Sequence, residues 1–195
     1  MRNVVLFMHI SLDGFAAGPN GELDWIVYDE ELEKYAEGIV STVGSPLYGR
    51  VTYQMMESYW PTVLDDPSAS KHALEHAQWI REVPKVVFSK TLETVEWHHT
   101  TLIKDNLAEE IAKLKQQPGK DLVIFGSPGL AQTLIELDLI DEYRLTLNPV
   151  ILGQGIPIFK DAEVRSDLTL VDAKTLASGV VALHYKTKRD QGEKL

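Results

Sequence analysis

The stretch Gly126-Ser127-Pro128-Gly129-Leu130 has the residue types and spacing for chemistry. It follows an apolar run, Leu122 to Phe125, and leads into Leu130, Leu134 and Leu137 at helical spacing, with Ile135 beside them. Ser127 stands at an N-cap position and Pro128 at the first helical position. Strand, glycine turn and helix start in that order predict unpaired backbone N–H groups and the positive end of a helix dipole beside one tight bend. Such a corner suits an anion, and phosphate is its commonest guest. GSPG is neither of the glycine patterns best known for phosphate, so a plain strand-turn-helix corner stays open beside that reading. A second bend, Gly49-Arg50-Val51-Thr52, also leads from a short segment, Ser45 to Tyr48, into a helix, TYQMMESYW. An arginine fork at a helix start matches phosphate oxygens. Histidines carry ligand chemistry too: His98 and His99 are adjacent, and His72 and His76 are four apart. A pair at helical spacing is half a zinc site, and with no HExxH or third ligand beside it no metal is expected.

These bends need strands and helices to hold them. Asn3 to Ile10 is almost continuously apolar and predicts a central strand buried on both faces. It enters a loop, Ser11 to Trp25, where Asp13-Gly14 and Pro19-Asn20-Gly21 carry turn chemistry, and a loop of that length is more often functional than decorative. Asp29 to Ile39 reads as a helix with Leu32, Tyr35, Ala36 and Ile39 on one face and acidic residues at its start. Met55, Met56, Tyr59 and Trp60 are read as core in preference to a site lining, with Pro61 ending their helix. A helix is expected over Lys71 to Arg81, a strand over Lys85 to Ser89, a short strand at Val95 to Trp97 and a helix over Asp105 to Lys115. Strands at Glu142 to Asn148, Leu168 to Lys174 and Val180 to Lys186 follow, the last two joined by Ser178-Gly179, with a glycine loop at Gly153 to Gly155. Alternating elements that close on antiparallel strands predict an α/β fold with a mixed sheet, in one domain over residues 1–190.

A formal net charge of −10 and no basic cluster argue against a nucleic-acid partner. The KTKRD run near the C-terminus reads as a solvated tail. Cysteine is absent, which removes disulfides and thiol chemistry. No apolar run reaches about 18 residues and no signal-peptide pattern occurs, so neither a membrane nor secretion is expected, and a cytoplasmic location is.

Five segments in order, SLDGFAAGPNGELDW after the first strand, LYGRVTY, VVFSK, VIFGSPGL and NPVILGQGIPIF, resemble the dihydrofolate-reductase-like proteins, in the branch of the riboflavin-biosynthesis reductase (RibD C-terminal) domain. The resemblance runs from about Asn3 to Lys186. It implies a three-layer α/β/α fold with a mixed, mostly parallel central sheet and a C-terminal antiparallel hairpin. It also implies NADPH as cofactor, hydride transfer to a small heterocyclic substrate, and a homodimer. By that resemblance Gly49, Arg50 and Thr52 face the adenosine-side phosphates. Ser89 and Lys90 face the adenine ribose or its 2′-phosphate, and Gly126, Ser127, Pro128, Gly129 and Leu130 form the second phosphate turn. Ala16 lies near the nicotinamide, and Ser11, Asp13 and Trp25 line the same mouth, Asp13 more as a turn-former than a catalyst. Asp29 or Glu30 stands roughly where folate reductases carry a lone acid. The chain also departs from the pattern: Phe125 replaces a substrate-binding Glu, and the Val40-Ser41 region lacks an Arg for a ribose phosphate. Without cysteine the zinc deaminase half of a bifunctional riboflavin protein is absent. A nucleotide- or flavin-binding protein that keeps the fold without reductase activity is the alternative, with Trp25, Tyr59 and Trp60 as stacking surfaces for a flavin.

Overall fold

The computed structural model describes residues 1–160 and 165–188. In chain order the strands are β1 (Val4–Ile10), β2 (Phe15–Ala17), β3 (Val43–Gly49), β4 (Lys85–Phe88), β5 (Thr100–Ile103), β6 (Asp121–Phe125), β7 (Glu142–Leu147), β8 (Ile156–Pro157), β9 (Leu168–Thr175) and β10 (Val181–Thr187). The helices are α1 (Glu30–Thr42), α2 (Arg50–Val63), α3 (Lys71–Glu82), α4 (Leu107–Gln116) and α5 (Pro128–Glu136).

Eight strands form one sheet in the order β5-β4-β3-β6-β1-β7-β10-β9, while β2 and β8 make a separate antiparallel pair. Pairings from β5 through β7 are parallel, and β10 runs antiparallel to both β7 and β9. This is the mixed sheet closing on antiparallel strands that the pattern of elements predicts, and it is mostly parallel as the resemblance implies. β1 takes its central place because both of its faces are apolar. Val4, Leu6 and Met8 pack with Ile111, Ala131 and Leu134 on one side, whereas Val5 and Phe7 pack with Ile39, Tyr53 and Ile80 on the other. Strand side chains alternate, so one continuous apolar run supplies two cores and binds three layers. Each fully buried large side chain contributes roughly 1.5–3 kcal/mol.

Local chemistry sets the helix ends. Asp29 caps α1, its carboxylate accepting from the Leu32 N–H at 2.8 Å, and the Ser70 hydroxyl caps α3 through the Ala73 N–H. The buried Lys85 ammonium donates to the carbonyls of Ile80, Arg81 and Val83, so a strand residue satisfies the last turn of α3.

Several expectations need correction. Pro61 lies inside α2, which continues to the buried Val63: proline costs one backbone hydrogen bond and crowds the carbonyl four residues back, but in the last turn burial of Val63 can still hold the helix. Val95 to Trp97 is not a strand. The N–H groups of Glu96 and Trp97 donate to the Tyr53 hydroxyl, and the edge strand is β5 instead. Leu137 lies beyond α5 and is exposed. The Ser11–Trp25 loop contains β2, whose pairing with β8 brings the Gly153–Gly155 loop so close that a Cβ on Gly155 would collide with the Ala17 carbonyl. Arg189 and Asp190, the end of the basic run and of the expected domain, lie outside the described residues. No helix among the described residues is long and apolar enough to cross a membrane.

Candidate functional site

Because β3 and β6 are parallel neighbours, the chain leaves both at the same sheet edge, where ligands of open α/β sheets bind. Gly49 is the N-cap of α2 and makes no side-chain cap, which leaves the first N–H groups of that helix without an intrahelical partner. At the other bend Gly126 and Ser127 are both left-handed, with φ of 61° and 53°. That conformation suits glycine and costs a serine about 1 kcal/mol. Ser127 does not cap its own helix. Its hydroxyl accepts the Gly49 N–H at 3.1 Å, so two bends 78 residues apart are joined by a hydrogen bond. Close packing completes the junction: a Cβ on Gly49 would lie 3.7 Å from the Leu130 Cβ, and one on Gly126 would lie 3.9 Å from the Thr52 methyl.

This junction accounts for the strained serine, and it makes a specific expectation. Ser127→Ala strands the Gly49 donor and keeps a Cβ in the left-handed region, for a loss of about 1–2 kcal/mol in a urea titration. Ser127→Gly loses the same bond but relieves the backbone, and is expected to be the milder change by about 1 kcal/mol.

Outward from the junction lies a cavity of about 790 Å³ lined by Arg50, Ser89, Lys90, Lys104, Asn106 and the start of α5. The Ser89 hydroxyl accepts from the N–H groups of Thr91 and Leu92, which shapes the turn that presents Lys90. Inward lies a second cavity of about 300 Å³, sharing Val51, Thr52, Ser127, Pro128 and Ile156 with the first. Ala16 and Ala17 of β2 border it, Phe125 lies in its wall, and Met55, Met56 and Trp60 of α2 line it. Met56 and Trp60 therefore do both, packing against the core as expected while lining the cavity, whereas Met55 lines it without joining the core and Tyr59 is exposed and outside it.

The structure brings Gly49, Arg50, Thr52, Ser89, Lys90, Ser127, Pro128, Gly129 and Leu130 to the outer cavity, and Ala16, Phe125 and Gly126 to the inner one. It leaves others elsewhere. Ser11 donates to the Asp13 carboxylate, which also accepts the N–H groups of Leu152 and Gly153; these two residues tie the first loop to the glycine loop and border neither cavity. The Ser11 hydrogen bond is the chief reason the Asp13 carboxyl titrates below its ordinary range. Trp25 donates to the Glu22 carbonyl, outside both cavities. Asp29 is committed to its cap, and the Leu32 N–H holds its carboxyl below the ordinary range. Glu30 pairs with Lys34 at the surface. Glu33, one turn along from Asp29, is the α1 acid that reaches the inner cavity.

His9 and Tyr28 also line that cavity, and the sequence held a signal for the first: a polar ring inside a strand buried on both faces. The His9 Nδ1 meets the Thr146 hydroxyl, and its Nε2 lies 3.4 Å from the Tyr28 hydroxyl. Burial pulls His9 down to about 4, and burial followed by the neighbouring His72 does the same to His76. His72 bonds Glu37 while His76 packs on Trp60, so the two histidines spaced four apart serve different partners. Among the described residues no group of three or more His, Asp or Glu has the arrangement of a metal site.

Comparison with known proteins bears on the family and the fold. The family model for the RibD C-terminal domain matches residues 2–182. An uncharacterized Bacillus subtilis (strain 168) protein, YyaP, is 36% identical over 184 residues, covering 94% of each chain. A Shewanella sp. PV-4 crystal structure, described as a riboflavin biosynthesis protein, superposes with a TM-score of 0.76 at 25% identity over 96% of this chain and 99% of its own. Dihydrofolate reductase from Enterococcus faecalis, crystallised with NADP(H), has a TM-score of 0.56 at 15% identity, covering 96% and 97%, a likeness of fold alone.

Proposed function

This chain belongs to the RibD C-terminal domain family, and from that premise we propose that it is an NADPH-dependent reductase of a small heterocyclic substrate. The observation that carries the reading is the Gly49 to Ser127 hydrogen bond, which sets two helix starts side by side between a cation-lined cavity and an apolar one. The fit to a phosphorylated dinucleotide is good. Free N–H groups at the start of α2 and the dipoles of α2 and α5 suit a pyrophosphate, and Arg50, Lys90 and Lys104 supply cations for it and for a 2′-phosphate. The nicotinamide end would pass the Thr52–Ser127 junction into the inner cavity beside Ala16.

When bound, NADPH supplies the hydride. The chain's share is to hold the phosphates, orient the ring and exclude water, which the apolar inner wall does. For a proton, Tyr28, Glu33 and the imidazoles of His9, His72 and His76 are the groups that line the cavity. The homodimer and the cytoplasmic location implied by the family belong to the same proposal.

Titration of NADPH and NADH against the intrinsic tryptophan fluorescence tests it. NADPH is expected to bind in the micromolar range and at least about tenfold tighter than NADH, with the preference reduced in Lys90→Ala and Lys104→Ala. Binding weaker than millimolar for both removes the reading. One observation favours a second reading, a nucleotide- or flavin-binding protein without reduction: Asp29 and Glu30, the expected acids, stand outside the cavity. Loss of absorbance near 340 nm with any pterin or pyrimidine would exclude it.

A further inference from the structure

The two cavities differ in charge. Arg50, Lys90 and Lys104 outnumber the one carboxylate, Asp105, in the lining of the outer one, whereas no Lys or Arg among the described residues lines the inner one. There the carboxylate is that of Glu33, and His72, at the border, is already held by Glu37. The inner wall is a run of rings in edge or tilted contact. Trp60 and His76 have centroids 4.3 Å apart, His76 and Phe125 6.2 Å, Phe125 and Phe7 5.9 Å, Phe7 and His9 5.2 Å, and His9 and Tyr28 5.5 Å. His9 and His76, titrating near 4, are uncharged at neutral pH and add no positive field.

An anion entering this cavity would lose its hydration, meet one carboxylate and find no cation in the wall. A flat ring would instead gain edge and face contacts along the whole run. We propose that the inner cavity takes a flat aromatic molecule that is uncharged or singly cationic, and rejects the same molecule once it carries a phosphate. The inference rests on the dinucleotide reading, with the phosphates in the outer cavity and the nicotinamide entering past the junction, since it assigns the rest of the inner cavity to the substrate. Its consequence is a division of labour: all phosphate recognition in this protein lies on the cofactor side, so the reaction that supplies its substrate must deliver a dephosphorylated ring.

One ring system at four charges tests this. Calorimetric titration of the full chain with 1-naphthol, 1-naphthylmethylamine, 1-naphthoate and 1-naphthyl phosphate, with and without saturating NADP⁺, reads the charge rule directly. The alcohol and the amine are expected to bind, with the phosphate weaker by about 30-fold or more. Met55→Lys, at a position 43% exposed and on the cavity wall, is expected to reverse the order of the amine and the phosphate. A phosphate that binds the unaltered protein as tightly as the alcohol overturns the proposal. So does a series unaffected by Met55→Lys, which would place the ring elsewhere. Titration of NADP⁺ alone separates the two readings: its failure to bind, with the naphthyl order intact, removes the dinucleotide assignment and supports the charge rule.

Discussion

Gly129→Asp is expected to weaken NADPH binding by about 100-fold while leaving the protein as stable as before, or slightly more so. Gly129 is the second residue of α5, it is exposed, and no atom lies within 4 Å of where its Cβ would be. An aspartate fits there without strain, replaces a flexible residue inside a helix and meets the positive end of the dipole, for a gain of roughly 0.5–1 kcal/mol. The same carboxylate borders the outer cavity. Two unit charges about 4 Å apart near a protein surface repel by about 4 kcal/mol before salt screening, and about 2.7 kcal/mol is a hundredfold in affinity. Stability and affinity thus move in opposite directions, which simple damage to the fold cannot produce. Gly129→Ala is the control, with binding expected to be unchanged. If the aspartate variant binds NADPH like the parent, the α5 start does not hold an anion.

The sequence carried the site's parts more openly than their assembly. GSPGL and GRVT were legible because turn chemistry and helix starts are local, as was the apolar run of β1 with its place in the sheet. That Ser127 would hand its hydroxyl to Gly49 instead of capping its own helix depends on the adjacency of β3 and β6, which no local pattern encodes. Lys104 is hidden in the sequence for a related reason. β5 is four residues long and half exposed, too weak a signal to compete with Val95 to Trp97, and its cation follows directly after it. The β2–β8 pair is shorter still. At the start of α1 the acidic residues could not be told apart by composition, and only helix geometry shows that the cap consumes Asp29 while Glu33 turns inward. Met56 and Trp60 pack against the core and also line the cavity beside Met55, a double role that periodicity does not report.

Mild acid is expected to destabilise this protein well before its carboxylates protonate. His9 and His76 are held near 4 by burial, against an unfolded value of about 6.5. Between those values the unfolded chain binds more protons than the folded one, so their contribution is fully present above about pH 6.5 and is lost as pH falls toward 4. Each histidine gives roughly 2 kcal/mol of that loss between pH 7 and pH 5, and the pair about 4 kcal/mol, or on the order of 10 °C in Tm for a chain of this size. His184, also lowered chiefly by burial, adds in the same direction. Asp13 and Asp29, both held below the ordinary carboxylate range, act only under that window. His76→Phe separates the contributions: the ring keeps its contacts with Trp60, Trp79 and Phe125 but cannot take a proton, so the slope of stability against pH should fall by about half. Urea midpoints at half-unit steps from pH 7.5 to 5 measure it. A flat profile would mean that water reaches these rings, and with it the inner cavity would lose the low-dielectric wall that both its neutrality and its preference for an uncharged ring require.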